Sequence, residues 1–302
     1  MLRFEAHDPA GARRVLRGGL DRDGPPLRVP GAVSPLVAKA VEDAGFDGVY
    51  LSGGALSADL GMPDVGLTTL SEVAERTARL ATATTLPLIV DADTGFGEAL
   101  NAARTVQELE RAGAAGCHLE DQENPKRCGH LGGKRVVDAQ LMEQKLRAAV
   151  AARHDDGFLL IARTDARAVE GLDAAIERAR AYVAAGADMI FPEALRTEDE
   201  FRAFRAALDV PLMANMTEFG TSPLFSAEAL QRLGYDLVIY PVTTLRLAMG
   251  AIERGLRALR DEGTQERLVP EMQTRARLYE LLRYDEHATV DTAAYGGRED
   301  DG

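Results

Sequence analysis

A chain of 302 residues with 46% hydrophobic content has the length for one large domain or two ordinary ones, and α/β barrels reach this size as a single unit. The net charge of −13 speaks against a nucleic-acid partner, because no basic stripe offsets the acidic background. It leaves an anionic substrate open, since local arginines hold carboxylates whatever the net charge. The N-terminus lacks an apolar signal core and no segment is long enough to span a bilayer, so a soluble, cytoplasmic protein with no membrane partner is expected.

Taken in chain order, apolar runs near residues 27–33, 48–52, 87–93, 116–120, 158–163, 188–193, 211–215 and 237–241 read as eight strands, with amphipathic helical stretches between them. Ser34-Pro35 offers an N-cap followed by Pro at the first helical position, and Thr69 and Glu72 have capping-box spacing. A helix ending in Gly and leading into a strand recurs at Gly45, Gly113, Gly186 and Gly234. Repeats of this kind imply parallel strands joined by right-handed crossovers. The expected fold is therefore α/β, a TIM-type (β/α)8 barrel. A doubly wound open sheet is the alternative, without a Gly-rich dinucleotide or Walker fingerprint to support it. Residues 1–302 are read as one domain: a barrel over about 26–262, an extra C-terminal helical segment over 263–285, and a flexible Gly- and Asp-rich tail over 286–302. Helical stretches at 244–262 and 265–284 are one helix more than a minimal barrel needs.

Polar residues collect where the strands end: Ser52-Gly53-Gly54, Asp91, Asp93, Glu120, Arg163, Glu193 and Asn215. In a barrel these ends converge on the face that carries active sites. Asp91 and Asp93, two apart on a strand, share one face. With Glu120, and Asp64 after the second strand, they form an all-oxygen set suited to a hard cation such as Mg²⁺. No His/Cys cluster has zinc spacing. The plainer reading of the Asp pair is a salt bridge to Arg163. Gly53 and Gly54 let backbone N–H groups approach an anion. Arg163 suits a substrate carboxylate in bidentate fashion, and Asn215 and Thr217 suit a second one. The pocket reads as Mg²⁺-dependent, for a small polycarboxylate.

Both cysteines, Cys117 and Cys128, are expected as free thiols. Cys117 lies in an apolar run and reads as core packing. Cys128 lies in Lys126-Arg127-Cys128-Gly129-His130, where neighbouring cations are expected to favour thiolate and let the group exchange a proton with carbon. Taken alone, a solvated basic loop with an incidental cysteine explains it as well.

These runs, together with Asp91–Gly97, Glu120-Asp121-Gln122, residues 162–166, Asn215–Gly220, 262–265 and 272–275, resemble the isocitrate lyase/phosphoenolpyruvate mutase superfamily, with most likeness to its 2-methylisocitrate lyases. The resemblance spans about residues 29–284. It implies a barrel whose last helix is exchanged between subunits of a homo-oligomer, usually a tetramer. It implies Mg²⁺ (or Mn²⁺) organised by Asp91 and Asp93, with Asp64 and Glu120 partly acting through waters. Ser52, Gly53, Gly54 and Arg163 would hold the 2-hydroxy or 2-oxo acid end. Glu193, Asn215, Thr217, Arg246 and Arg275 would surround the succinate end, with Cys128 and Gly129 closing over it and His130 in the closed loop's hydrogen-bonding set. The implied reaction is retro-aldol cleavage of 2-methylisocitrate to pyruvate and succinate, as in propionate catabolism by the methylcitrate cycle. Tyr50 is the candidate base and Cys128 the acid that protonates the succinate carbanion. Isocitrate lyase and a dimethylmalate-type lyase are the nearest alternatives. Phosphoenolpyruvate mutase-like isomerase and oxaloacetate decarboxylase activities generally lack the Cys loop, and a non-catalytic carboxylate-binding protein would not need it. Pro30-Gly31 in the first strand departs from several relatives, and the polar residues that some carry there are absent.

Overall fold

A computed structural model of the chain describes residues 8–20 and 24–295. They fall into two compact units, the first running to Leu245 and the second beginning at Arg246. Helix α1 (Pro9–Leu20) opens the first unit, followed by β1 (Leu27–Pro30), α2 (Pro35–Asp43), β2 (Val49–Leu51), α3 (Gly53–Asp59) and α4 (Leu70–Ala81). Then come β3 (Leu88–Asp91), α5 (Ala99–Arg111), β4 (Gly116–Glu120), α6 (Ala139–Ala152), β5 (Leu159–Thr164) and α7 (Leu172–Ala184). The series closes with β6 (Met189–Pro192), α8 (Glu198–Ala207), β7 (Met213–Asn215), α9 (Ala227–Arg232) and β8 (Leu237–Tyr240).

Every strand pair is parallel. Strands β2 to β6 form one continuous sheet and β1, β8 and β7 another. Parallel bridges at Gly31–Tyr50 and Ile190–Leu212 join the two into a ring of eight. The local signals act as the sequence suggests. Ser34 caps α2 with Pro at its start, and Thr69 and Glu72 complete a reciprocal capping box on α4. The four helix-ending glycines all take positive φ, 74°, 96°, 103° and 77° in chain order, a conformation a side chain disfavours.

Strand periodicity decides which residues reach the axis. Val29, Tyr50, Ile89, Leu159, Ile161, Met189, Phe191, Met213 and Ile239 pack together inside the ring, whereas their neighbours Val90, Cys117, Leu119, Leu160 and Ala162 pack in the larger layer with helix residues. Continuing the inward parity up each strand places Asp91, Glu120, Arg163, Glu193 and Asn215 at the C-terminal mouth. At the opposite end, α1 was not foreseen. Its Leu16 joins the interior cluster, and Arg13 bonds the carbonyls of Glu110 and Ala114 and the Asp155 carboxylate.

In the second unit, the rest of α10 (Thr243–Glu262) leads to a 3-10 turn (Glu266–Glu271), α11 (Arg275–Leu281) and α12 (Tyr284–Tyr295). The single helix expected over 265–284 is broken. Pro270 sits inside the 3-10 turn and supplies no N–H, Thr274 caps a new start, and Arg283 turns to φ 53°. The tail expected to be mobile from 286 is helical to Tyr295; residues 296–302 lie outside the described ones. The boundary between compact units falls within α10, not at its end.

Candidate active site

The acidic side of the mouth is built on β3 and β4. Asp91 closes β3 and accepts the Gly53 N–H at 3.0 Å and the Asp93 N–H at 3.1 Å. The strand stops there and Asp93 takes φ 45°, so alternation along a strand does not align the pair. A left-handed residue does so instead. Asp93 also receives the Thr68 hydroxyl at 3.4 Å. Burial pushes Asp93 up to about 6, with Asp91 adding to the effect. Burial opposes ionisation of Asp91 too, but His118, Lys126 and Arg163 together hold it below the usual carboxylate range.

Lys126, with its side chain 4% exposed, reaches Asp64 and lies 2.6 Å from Asp93. Burial weakens its positive charge, yet Glu120, Asp93, Asp91 and Asp64 outweigh that and fix it as an ammonium. The loop's first cation is therefore spent on carboxylates.

Arg163 sits among three carboxylates. It bonds Asp165 at 2.9 Å through Nε and lies 3.2 Å from Glu120 and 3.7 Å from Glu193, with Phe191 under the guanidinium. The plainer alternative, a salt bridge from the Asp91/Asp93 pair to Arg163, is not formed; Arg163 pairs with Glu120, Asp165 and Glu193 instead. Glu120 is wholly buried, its proton affinity is raised mainly by burial, and Oε1 has no hydrogen-bond partner. Glu193, held ionised by Arg163 and His130 against burial, pairs with His130 Nε2 at 2.7 Å and accepts from Asn215 at 3.3 Å. Thr221 donates its N–H to His130 Nδ1 at 3.1 Å.

The cysteine loop lies down over this cluster. The Gln122 side-chain amide donates through Nε2 to the Arg127 carbonyl at 2.8 Å and accepts the Arg127 N–H on Oε1 at 2.9 Å. A Cβ on Gly129 would come within 2.5 Å of Glu193 Cγ and closer still to Arg163 Nη2, so only glycine lets the backbone seat there. Cys128 is half-buried, and burial raises its pKa although Arg163 and the His130 N–H pull the other way. The thiolate expected from sequence is thus corrected to a protonated thiol. A cavity of about 660 Å³ opens on Asp93 from the far side of the loop, lined by Thr68, Thr69, Asn101 and Asn124 among others.

Other expectations are redrawn. Ser52 is the N-cap of α3, accepting the Ala55 N–H at 3.2 Å, and Gly53 gives its N–H to Asp91. Gly54 packs beside Asp64. Tyr50 is buried in the ring with its hydroxyl 2.7 Å from His118 Nε2, and burial lifts its pKa well above the usual value. A phenolate base is disfavoured there, which removes the ground for that role. Thr217 lies half-buried beyond β7. Arg246 on α10 and Arg275 at the start of α11 belong to the second unit.

Sequence reasoning missed His118, Lys134 and Asp165 and gave Lys126 no site role. Two of them carried a signal. His118 stands two residues before Glu120 on β4, and Asp165 two residues after Arg163 beyond β5. His118 stays neutral, its pKa lowered to about 4 by burial.

A divalent cation fits the donors. Asp64, Asp91, Asp93 and Glu120 offer only oxygen, and Glu120 Oε1 is an orphaned buried acceptor. Among the described residues no three His, Cys, Asp or Glu side chains close into a ready-made metal cage.

The ring of eight parallel strands is a TIM-type barrel whose mouth sets Asp93, Glu120 and Glu193 against Lys126, Arg163 and His130 beneath the cysteine loop. The family model described as phosphoenolpyruvate phosphomutase matches residues 16–260, and the chain belongs to the PEP mutase/isocitrate lyase superfamily. It is 60% identical over 265 residues to a probable 2-methylisocitrate lyase of Corynebacterium glutamicum, covering 87% of each chain. Among solved structures, 2,3-dimethylmalate lyase matches with TM-score 0.88 at 34% identity, over 96% of this chain and 97% of that one. Phosphonopyruvate hydrolase in complex with oxalate and Mg²⁺ matches with TM-score 0.85 at 33% identity, over 95% and 99%.

Proposed function

We propose that this chain is a Mg²⁺-dependent carbon–carbon lyase that cleaves 2-methylisocitrate to pyruvate and succinate. The observation that carries the reading is the cysteine loop, whose Gly129 backbone seats against Arg163 and Glu193 at the barrel mouth and brings Cys128 there half-buried. Likeness to relatives named for that reaction supports the substrate.

Asp91 and Asp93 would hold Mg²⁺, with Asp64 and Glu120 acting partly through waters. When bound, the ion supplies Lewis-acid stabilisation to the oxygens of the 2-hydroxy acid end. Arg163, oriented by Asp165, offers its guanidinium to the same end. His130, Asn215 and Glu193 form the wall that faces the succinate half, with Thr217 beside them. As a general base at the mouth takes the hydroxyl proton, the oxygen becomes the carbonyl of pyruvate, the C2–C3 bond breaks, and its electron pair stays on the succinate half as a carbanion in aci-carboxylate form. Cys128 donates the proton that completes succinate. A thiol that must give a proton is best kept protonated beforehand, and a closed lid keeps water from quenching the carbanion first.

Association is part of the reading. Met249, Ile252, Leu256 and Leu259 on α10 are 44 to 61% exposed, and their spacing puts them along one helical stripe. That stripe suits a homo-oligomer, a tetramer with exchanged C-terminal helices. The two unpaired thiols suit a reducing, cytoplasmic setting. Among the described residues no helix is long and apolar enough to cross a membrane.

The test is to assay purified protein with Mg²⁺ on 2-methylisocitrate, isocitrate and 2,3-dimethylmalate. The highest kcat/KM is expected on the first. Turnover of none of the three sinks the reading, and preference for another moves the chain to that lyase.

A further inference from the structure

The geometry points to Lys134 as a positioning residue that latches the cysteine loop to the arginine beneath it. Its side chain is 2% exposed and its ammonium lies 2.6 Å from Asp165 Oδ1. The same ammonium donates to the main-chain carbonyl of Gly129, the residue after the thiol. Asp165 is not a passive acceptor. It also takes Arg163 Nε at 2.9 Å and Nη2 at 3.2 Å, and its own N–H is fixed by Asp121 at 2.8 Å. One carboxylate thus serves the arginine and the latch together, and one ammonium joins the lid to the barrel rim.

The loop is held at both ends by lysines of different allegiance. Lys126 ties its beginning to Asp64 and Asp93, and Lys134 ties its end to Asp165. Cys128 lies between them, in a turn closed by the Leu131 N–H on the Cys128 carbonyl at 3.0 Å. Lifting the lid takes the Gly129 carbonyl away from a buried ammonium and leaves Asp165 as its only acceptor in this set. A buried charge with a lost partner is costly, so Lys134 biases the loop toward closure. Lys134 touches neither Cys128 nor, in the reading above, the substrate.

The two cysteines make this measurable. Cys117 is wholly buried and Cys128 only half-buried, so iodoacetamide labelling of the resting, Mg²⁺-loaded protein reports lid opening at Cys128 and global opening at Cys117. Removing a positive charge disfavours thiolate and by itself slows alkylation; faster labelling therefore reports access. Lys134→Met is expected to raise the Cys128 labelling rate at least tenfold with Cys117 unlabelled. Lys134→Arg should restore most of the protection. In turnover, Lys134→Met should lower kcat at least tenfold and change KM far less. Unchanged Cys128 labelling overturns the proposal, and so does joint labelling of both cysteines, which would make Lys134 a general fold residue. Should Lys134→Met not fold, Lys134→Gln is read by the same criteria. The kinetic arm rests on the proposed lyase reaction. The labelling arm needs no substrate and fails or succeeds independently of it.

Discussion

Cys128 is set up to give a proton, not to attack. Burial raises its pKa while Lys126, two residues before it in sequence, is occupied by Asp64 and Asp93. An acid must be protonated to work, so activity should hold through neutrality and fall as pH rises through the thiol's pKa, above that of an ordinary thiol because of burial. The alkaline limb of the kcat/KM profile checks this; activity that instead rises through that pKa would mean the thiol acts as thiolate. Cys128→Ser keeps the shape but exchanges the acid for a far weaker one. Loss of a positioned general acid is expected to cost on the order of 10²–10⁴ in kcat, with product-analogue binding retained, as calorimetry with succinate would show. The thiol's position was legible in sequence and its charge state was not. The carboxylates that claim Lys126 lie more than thirty residues upstream, and no local pattern reveals that pairing.

Individual strands act as carriers here. Inward parity alone takes β3 to Asp91, β4 to Glu120, β5 to Arg163, β6 to Glu193 and β7 to Asn215. The list of strand-end residues could therefore be read before any coordinate was known. Departures came where an element ends in an irregular way. Asp93 depends on a positive φ, and α1 is held by Arg13 contacts to Glu110, Ala114 and Asp155, about a hundred residues away. Such partners leave no periodic trace. The loop offers the sharper test at this scale. Gly129→Ala places a methyl group against Arg163 and Glu193, so the lid cannot seat, and a displacement of this size is expected to cost about 10²-fold in kcat. Melting temperature should stay near that of the parent, since the strain is relieved by leaving the loop open. A fully active Gly129→Ala protein would mean that closure against Arg163 is unnecessary.

Two properties belong to the whole molecule. Six carboxylates around the mouth (Asp64, Asp91, Asp93, Glu120, Asp165, Glu193) face three cations, Lys126, Lys134 and Arg163. Those of the six that are ionised repel one another, and a bound cation would relieve that repulsion. Saturating Mg²⁺ should raise the melting temperature, with about 2.7 kcal/mol of stabilisation at a hundredfold excess over Kd, and EDTA should reverse the shift and abolish turnover. No shift with Mg²⁺ would remove the ion from the reading. The exposed α10 stripe sets the second test. Ile252→Glu with Leu256→Glu should shift sedimentation velocity from an oligomer to smaller species, whereas an unchanged profile would place the association surface elsewhere. The barrel architecture was legible from eight apolar runs with glycine-ended helices between them. The division inside α10 was not, because the helix continues smoothly through it.

The raised pKa of Cys128 has a further consequence, for chemical durability. Peroxides and most biological oxidants attack thiolate and convert it to sulfenic acid and beyond. A thiol kept protonated and half-covered presents little of that species at neutral pH. The same burial that readies Cys128 to protonate carbon therefore shields it from irreversible over-oxidation. The protein should keep its activity under peroxide exposure that inactivates enzymes relying on an ionised cysteine.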